Sequence, residues 1–220
     1  MTPARRGRAL LAVACLLALG SCSDDGDHTP SSTTGSSSTT ASTIAPDDPT
    51  LEPVLLTAAD LPDGFAATED VAETVTTFCA GQDATAGLRA DGRAIVAFTR
   101  TPEGASVIEV VFRFEDDGAT TFVHQAGELM TSCSEVPDAT GLAFTYEPLS
   151  PAVAASLTDA DESASAFGTS VGSGDLHVQI AAMVHEDLGA LVAVLGFDEP
   201  RADLDALAST AFEAAVAKLG

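Results

Sequence analysis

The stretch DLHVQIAAMVHEDLGALVAVLGF, residues 175–197, decides the fold. Two runs of strand length, 175–185 and 190–197, flank Glu186-Asp187-Leu188-Gly189, a polar tetrapeptide closed by glycine, of the kind that turns a β-hairpin. The two runs are therefore expected to pair antiparallel. The second, Ala190 to Leu195, has no polar residue at either parity. A strand apolar on both faces belongs at the centre of a sheet or under cover on both sides. In the first run His177, Gln179, Ala181, Met183 and His185 share one face, which reads as its more polar side. Eight residues at about 3.3 Å each put the two histidines roughly 26 Å apart, too far to share a metal.

Working outward, residues 164–171 form a further strand joined to this hairpin through Gly172-Ser173-Gly174. Before it, Phe144 to Leu149 reads as a strand and Pro151 to Leu157 as a helical turn. Nearer the N-terminus, Ala94 to Thr99 is a strand apolar on both faces, and Pro102-Glu103-Gly104 turns it into the next, Val107 to Glu115. There Ile108, Val110, Phe112 and Phe114 line one face, while Val107, Glu109, Val111, Arg113 and Glu115 mix, so the second face is expected to be partly wet. Glu115-Asp116-Asp117-Gly118 supplies caps for a helix with Phe122, Ala126, Leu129, Met130 and Cys133 on one stripe. Pro200 leads into a closing helix with Leu204, Leu207, Ala208, Ala211, Phe212, Ala215 and Leu219 at i, i+3, i+4 spacing. The expected class is α+β: an antiparallel sheet of five or six strands with two main helices packed on one face. One domain, residues 54–220, suffices for this core.

That domain opens with Leu55-Leu56-Thr57-Ala58-Ala59-Asp60-Leu61-Pro62-Asp63-Gly64-Phe65, where Thr57 and Asp60 have capping-box spacing and Pro-Asp-Gly forces a bend. In 69–79, Val71, Val75, Phe78 and Cys79 have helical spacing, yet Val-Thr-Thr resists helix, so the piece is ambiguous.

Ahead of the domain, the apolar run Ala9 to Leu19 is shorter than the about 20 residues a membrane-spanning helix needs. With Arg5, Arg6 and Arg8 before it and small residues behind, it has the order of a secretory signal, residues 1–21. Leu19-Gly20-Ser21-Cys22 resembles a bacterial lipobox, which implies cleavage before Cys22 and a diacylglyceryl thioether on its sulfur. Arg5-Arg6 also raises the twin-arginine export route, without the partner residues of that signal. Residues 22–53 are dominated by Ser, Thr, Asp and Pro, a composition that cannot offset ordering entropy. They read as a disordered tether, holding the domain some 30 Å from the membrane if it behaves as a flexible coil. The expected location is the extracytoplasmic face of a cell membrane.

Taking the three signal arginines away moves the formal charge from −24 to −27 and leaves six cations scattered against 33 acids. Nucleic acid is excluded as a partner, because a phosphate backbone calls for clustered Lys and Arg. The acidity serves solubility.

Of four cysteines, Cys15 leaves with the signal and Cys22 carries the lipid, so Cys79 and Cys133 remain as an even pair in an oxidising compartment. A disulfide between them is expected; the alternative is two free thiols in a metal or redox site, for which no CxxC exists. No metal site or cofactor is expected: Asp159-Ala160-Asp161-Glu162 lacks the glycine and spacing of an EF-hand, and His124 lies beside a helix's apolar stripe. Gly168-Thr169-Ser170-Val171-Gly172 matches the G-x-S-x-G nucleophile elbow in letters, but a glycine-flanked hairpin follows instead of a helix. No catalytic residue is assigned.

The lipobox, the Ser/Thr tether, the opening Leu55 to Phe65, the strand–helix unit ending in Cys133 and the strand-rich tail closed by an Ala/Leu helix together resemble the PknH-like extracellular sensor domains of actinobacteria. Such domains usually carry four cysteines in two bridges, and tryptophan; this domain has Cys79 and Cys133 and no Trp. The resemblance implies a non-catalytic ligand-binding or sensor module with an unidentified envelope ligand or protein partner. Alternatives are a carrier of apolar lipid in an internal cavity and an envelope scaffold for protein interaction.

Overall fold

In the computed structural model, which describes residues 47–68, 76–100, 104–137, 141–172 and 175–220, the run Leu188–Phe197 lies fourth of seven strands in one sheet. In chain order the strands are β1 (Phe65–Ala67), β2 (Ala90–Arg100), β3 (Ser106–Phe114), β4 (Phe144–Glu147), β5 (Glu162–Ser170), β6 (Leu176–His185) and β7 (Leu188–Phe197). They are arranged β1-β2-β3-β7-β6-β5-β4, every neighbouring pair antiparallel. The hairpin expected from residues 175–197 forms, with Ile180 opposite Ala193 and Gln179 opposite Val194. Its second strand is central, as its two apolar faces require. Among the described residues three α-helices complete the fold: α1 (Gly118–Ser132), α2 (Pro151–Ala155) and α3 (Arg201–Leu219).

The sheet has seven strands where five or six were expected. The additional one, β1, is only three residues long, too short to show a period of two, and is held to β2 with Phe65 opposite Arg100. The larger correction concerns the layers, because the two main helices lie on opposite faces. Helix α1 places Phe122, Val123, Ala126 and Met130 over Val110 and Phe112 of β3, Ile180 and Ala182 of β6, and Leu191 of β7. Helix α3 places Leu204, Leu207, Ala208, Ala211 and Phe212 over Val107 and Val111 of β3, Ala181 and Met183 of β6, and Val192 and Val194 of β7. The residues of each set alternate along the strands, so the partition follows from the pleat. Three central strands apolar on both sides cannot leave one side to water, and a helix on each face is the solution.

Two rows read as wet or polar are buried along their centres. Val107, Glu109 and Val111 of β3 lie under α3, with Glu109 fully buried, while Arg113 and Glu115 at the end of that row reach water as expected; Gln179, Ala181 and Met183 of β6 are likewise buried, between the half-buried His177 and His185. Gln179 is accommodated by donating from Nε2 to Asp205 Oδ1 of α3 at 2.7 Å. On the α1 side Phe112, Phe114 and Phe122 pack as tilted rings at centroid separations of 5.4 to 5.8 Å. Gly189 makes room for them: a Cβ there would sit 2.8 Å from a carbon of the Phe114 ring.

The domain also starts earlier than composition suggests. Residues 49–54 form a 3-10 helix capped by Asp48, and Leu51 within it is buried in the α3-side core. Asp48 Oδ2 accepts from Arg113 Nη1 at 2.7 Å, and hydrogen bonds from Thr50 hold its carboxyl below the usual range. Residues 47–53 thus belong to the folded domain and not to the tether. The Thr57–Asp60 motif behaves as read, with the Thr57 N–H donating to Asp60 Oδ2 at 2.7 Å at the start of a 3-10 turn. Residues 69–75 of the ambiguous segment 69–79, the turn at Pro102-Glu103, and Ser173 and Gly174 lie outside the described residues, as do Cys22 and all of residues 1–46.

Candidate functional site: an apolar pocket beside the disulfide

Helix α1 ends on Cys133, whose backbone N–H still reaches back to the Leu129 carbonyl. Cys133 is bonded to Cys79, with Cα atoms 5.2 Å apart, and the Cys79 N–H points at the Cys133 sulfur at 3.2 Å. The structure thus joins the two cysteines that the sequence left as a pair. On either side of the bridge the chain turns sharply, with Ala80 at φ 51° and Glu135 at φ 64°, a left-handed conformation costing an L-residue about 1 to 2 kcal/mol. Cross-links hold both: Ala80 N–H donates to the Pro137 carbonyl at 3.0 Å and Glu135 N–H to the Phe144 carbonyl at 2.7 Å.

This corner overhangs part of the sheet face on which α1 lies. Val178 and Ile180 of β6, Ala193 and Leu195 of β7, and Ile108 of β3 form the floor of a pocket whose wall includes Phe78, Cys79 and Cys133. Phe144 and Tyr146 of β4, with ring centroids 6.0 Å apart, close another side, and Val136 and Leu142 stand at the rim, 40% and 44% exposed. The cavity measures about 160 Å³, and among its thirteen lining residues only Thr77 and Tyr146 carry a polar side-chain group. None is charged.

The six Lys and Arg side chains among the described residues are all occupied elsewhere: Arg93 with Asp47, Arg100 with Glu199, Arg113 with Asp48, Arg201 with Glu147, Lys218 with Asp60, and Arg89, at 3.9 Å, with Glu115. Arg201 also lies over the Phe167 ring, 3.9 Å from its centroid. No cation is left to face an anionic ligand in the pocket.

Across the sheet sits the most perturbed carboxyl of the domain. Glu109 Oε2 accepts the Leu56 N–H at 2.6 Å, whereas Oε1 is buried with no hydrogen-bond partner. Burial pushes its pKa up to about 7; the Leu56 N–H and the Lys218 ammonium pull the other way, and the Asp60 carboxylate adds to the rise. The segment it holds, Leu55-Leu56, joins the first two 3-10 turns, so Glu109 fastens the domain's opening segment to the sheet.

The other residues singled out in the sequence stay apart. Ser170 ends β5, is buried, and accepts from the Leu176 N–H at 3.2 Å across the turn into β6, which is no strand-to-helix elbow. His177 stacks on Phe167, His124 Nε2 lies 2.6 Å from Glu162 Oε1, and His185 Nδ1 lies 3.5 Å from Asp161 Oδ2. Asp161 and Glu162 of the acidic loop are committed to these pairs, and Asp161 Oδ2 also accepts from the Glu186 N–H. Among the described residues no group of three His, Cys, Asp or Glu side chains could hold a metal ion, and no helix is long and apolar enough to cross a membrane. The first glycine of G-x-S-x-G is a packing residue, since a Cβ on Gly168 would meet Val178 Cγ1 at 2.7 Å and Tyr146 Cε1 at 2.9 Å. Gly168→Ala is expected to cost about 1 to 3 kcal/mol by overpacking, read as a lower midpoint in urea with an unchanged slope.

Sequence reasoning did not single out the pocket or Glu109. A signal for the pocket was present in Val136 and Leu142, two branched apolar residues inside the otherwise polar or small connection 134–143.

By sequence, no protein family and no curated protein matches the chain. Among solved structures four chains match. One is the extracellular domain of PknH from Mycobacterium tuberculosis, 14% identical, covering 75% of this chain and 93% of that one with a TM-score of 0.49.

Proposed function

We propose that the chain is a non-catalytic, extracytoplasmic ligand-binding module of sensor type, moored to the membrane by a lipid on Cys22. The observation that carries the binding half is the pocket at the disulfide corner: an uncharged apolar recess with two exposed branched residues, Val136 and Leu142, at its mouth. Concave, mostly apolar sites with a few polar groups are where small ligands bind. The left-handed residues Ala80 and Glu135 beside it support the same reading, because conformations of this cost gather at binding sites. The mooring half rests on Leu19-Gly20-Ser21-Cys22 and on the polar run that follows it. With its lipid embedded, the folded part would stand off the bilayer, and its −27 formal charge would keep it from lying on anionic headgroups.

The test of the mooring is metabolic labelling of the full chain with a palmitate analogue. Incorporation and membrane pelleting are expected for the natural sequence and loss of both for Cys22→Ser. A labelled Cys22→Ser chain, or an unlabelled wild type that stays soluble, would remove the anchor. For the binding half, native mass spectrometry of the oxidised chain after exposure to envelope extract is expected to show an added small mass. A broad flat interaction surface with no bound mass would favour a protein scaffold instead.

A further inference from the structure

We propose that the pocket takes a neutral apolar ligand the size of one aromatic ring or a short branched chain, and that it does not enclose a whole lipid. This rests on the binding reading above and sets its chemical class. Volume is the first argument. A cavity of about 150 Å³ lined by Leu, Ile and Phe suffices for a benzene molecule, and this one measures about 160 Å³. Pockets that bury drug-sized ligands run from about 300 to 1,000 Å³, so a long acyl chain would leave most of its length in water.

Charge is the second argument. A carboxylate or phosphate drawn into an apolar recess needs a paired cation, because leaving it unpaired costs several kcal/mol. The recess holds no charged side chain, and Arg89, Arg93, Arg100, Arg113, Arg201 and Lys218 all face carboxylates elsewhere. The third argument is shape. Phe78, Phe144 and Tyr146 supply aromatic walls, the branched side chains of Ile108, Val178 and Ile180 form the floor, and a flat ring packs well between such surfaces.

The experiment uses the complete oxidised chain with its Ile, Leu and Val methyl groups labelled for NMR. It is titrated separately with toluene, indole, octanoate and monoolein. Toluene and indole are expected to saturate and to move the methyls of Ile108, Val178, Ile180 and Leu195, leaving those of Val107 and Val192 on the opposite face unmoved. Octanoate is expected to bind at least tenfold more weakly than toluene. Leu142→Trp, at a position 44% exposed, should fill the mouth and lower toluene affinity at least tenfold without altering the thermal midpoint. Val136→Trp serves the same purpose should that variant not fold. Monoolein or octanoate moving the same four methyls more tightly than toluene would overturn the size or charge assignment while leaving a ligand site intact. No movement of these methyls with any of the four probes would overturn the binding reading itself.

Discussion

Glu109→Gln is expected to stabilise the protein by about 3 kcal/mol at pH 8 and to leave it nearly unchanged at pH 4. The carboxyl ionises near its ordinary pKa of 4.5 in the unfolded chain and at about 7 in the folded one. Between those values the folded state binds the extra proton at this position, so stability falls as pH rises and the whole penalty is present above pH 7. Glutamine mimics the protonated acid: its amide oxygen can accept the Leu56 N–H, and nothing ionises. For a domain of this size each kcal/mol moves the melting midpoint by about 2 to 4 °C, so the wild-type and variant curves should separate by roughly 6 to 12 °C at pH 8 and converge in acid. Glu109→Met, by contrast, removes the acceptor at 2.6 Å and should lose about 1 to 3 kcal/mol relative to Glu109→Gln at every pH. Parallel pH profiles for wild type and Glu109→Gln would show that Glu109 ionises at the same pKa in the folded and unfolded protein, which would overturn the shift.

Loss of the Cys79–Cys133 bond should be at least as costly. The two residues are 54 apart in sequence, and on the chain-entropy model closing such a loop stabilises the fold by about 4 kcal/mol. The loop contains β2, β3 and α1, so opening it releases the covalent constraint on two inner strands and on a helix that lies across β5, β6 and β7. Cys79→Ser/Cys133→Ser is expected to lose about that much stability in denaturant unfolding and to lose the toluene response, since both cysteines line the pocket. The wild type in reductant should reproduce both effects. An unchanged midpoint in the double variant would mean that hydrogen bonds such as Ala80 to Pro137 hold the corner unaided.

Much of the architecture was legible in hydrophobic alternation. The β6–β7 hairpin, the central place of β7 and the stripes of α1 and α3 follow from residue order alone. The helices' distribution did not follow, and Glu109 shows why. A charged residue among Val107 and Val111 is the usual mark of a solvated face, and only tertiary packing reveals that a carboxyl pushed up to about 7 sits there instead. Gln179 misled in the same way: its partner, Asp205, lies on a helix that alternation within the strand cannot see. The pocket was hidden for another reason. Its walls come from β3, β4, β6, β7, the disulfide and the connection after α1, and no local pattern records the meeting of segments so far apart.

The middle position of β7 bears on how the chain matures. Ribosomes release the N-terminal end first, so β3 and β6 exist before the strand that must lie between them. Until Leu188–Phe197 emerges, two half-sheets carry unsatisfied backbone edges and uncovered apolar faces, the condition under which nascent chains stick to one another. Productive folding thus waits for the last 33 residues, Leu188 to Gly220, which deliver both the bridging strand and α3 over one side. A chain stalled or truncated before Leu188 should remain a substrate for holding chaperones and proteases, with no partially active form to rescue.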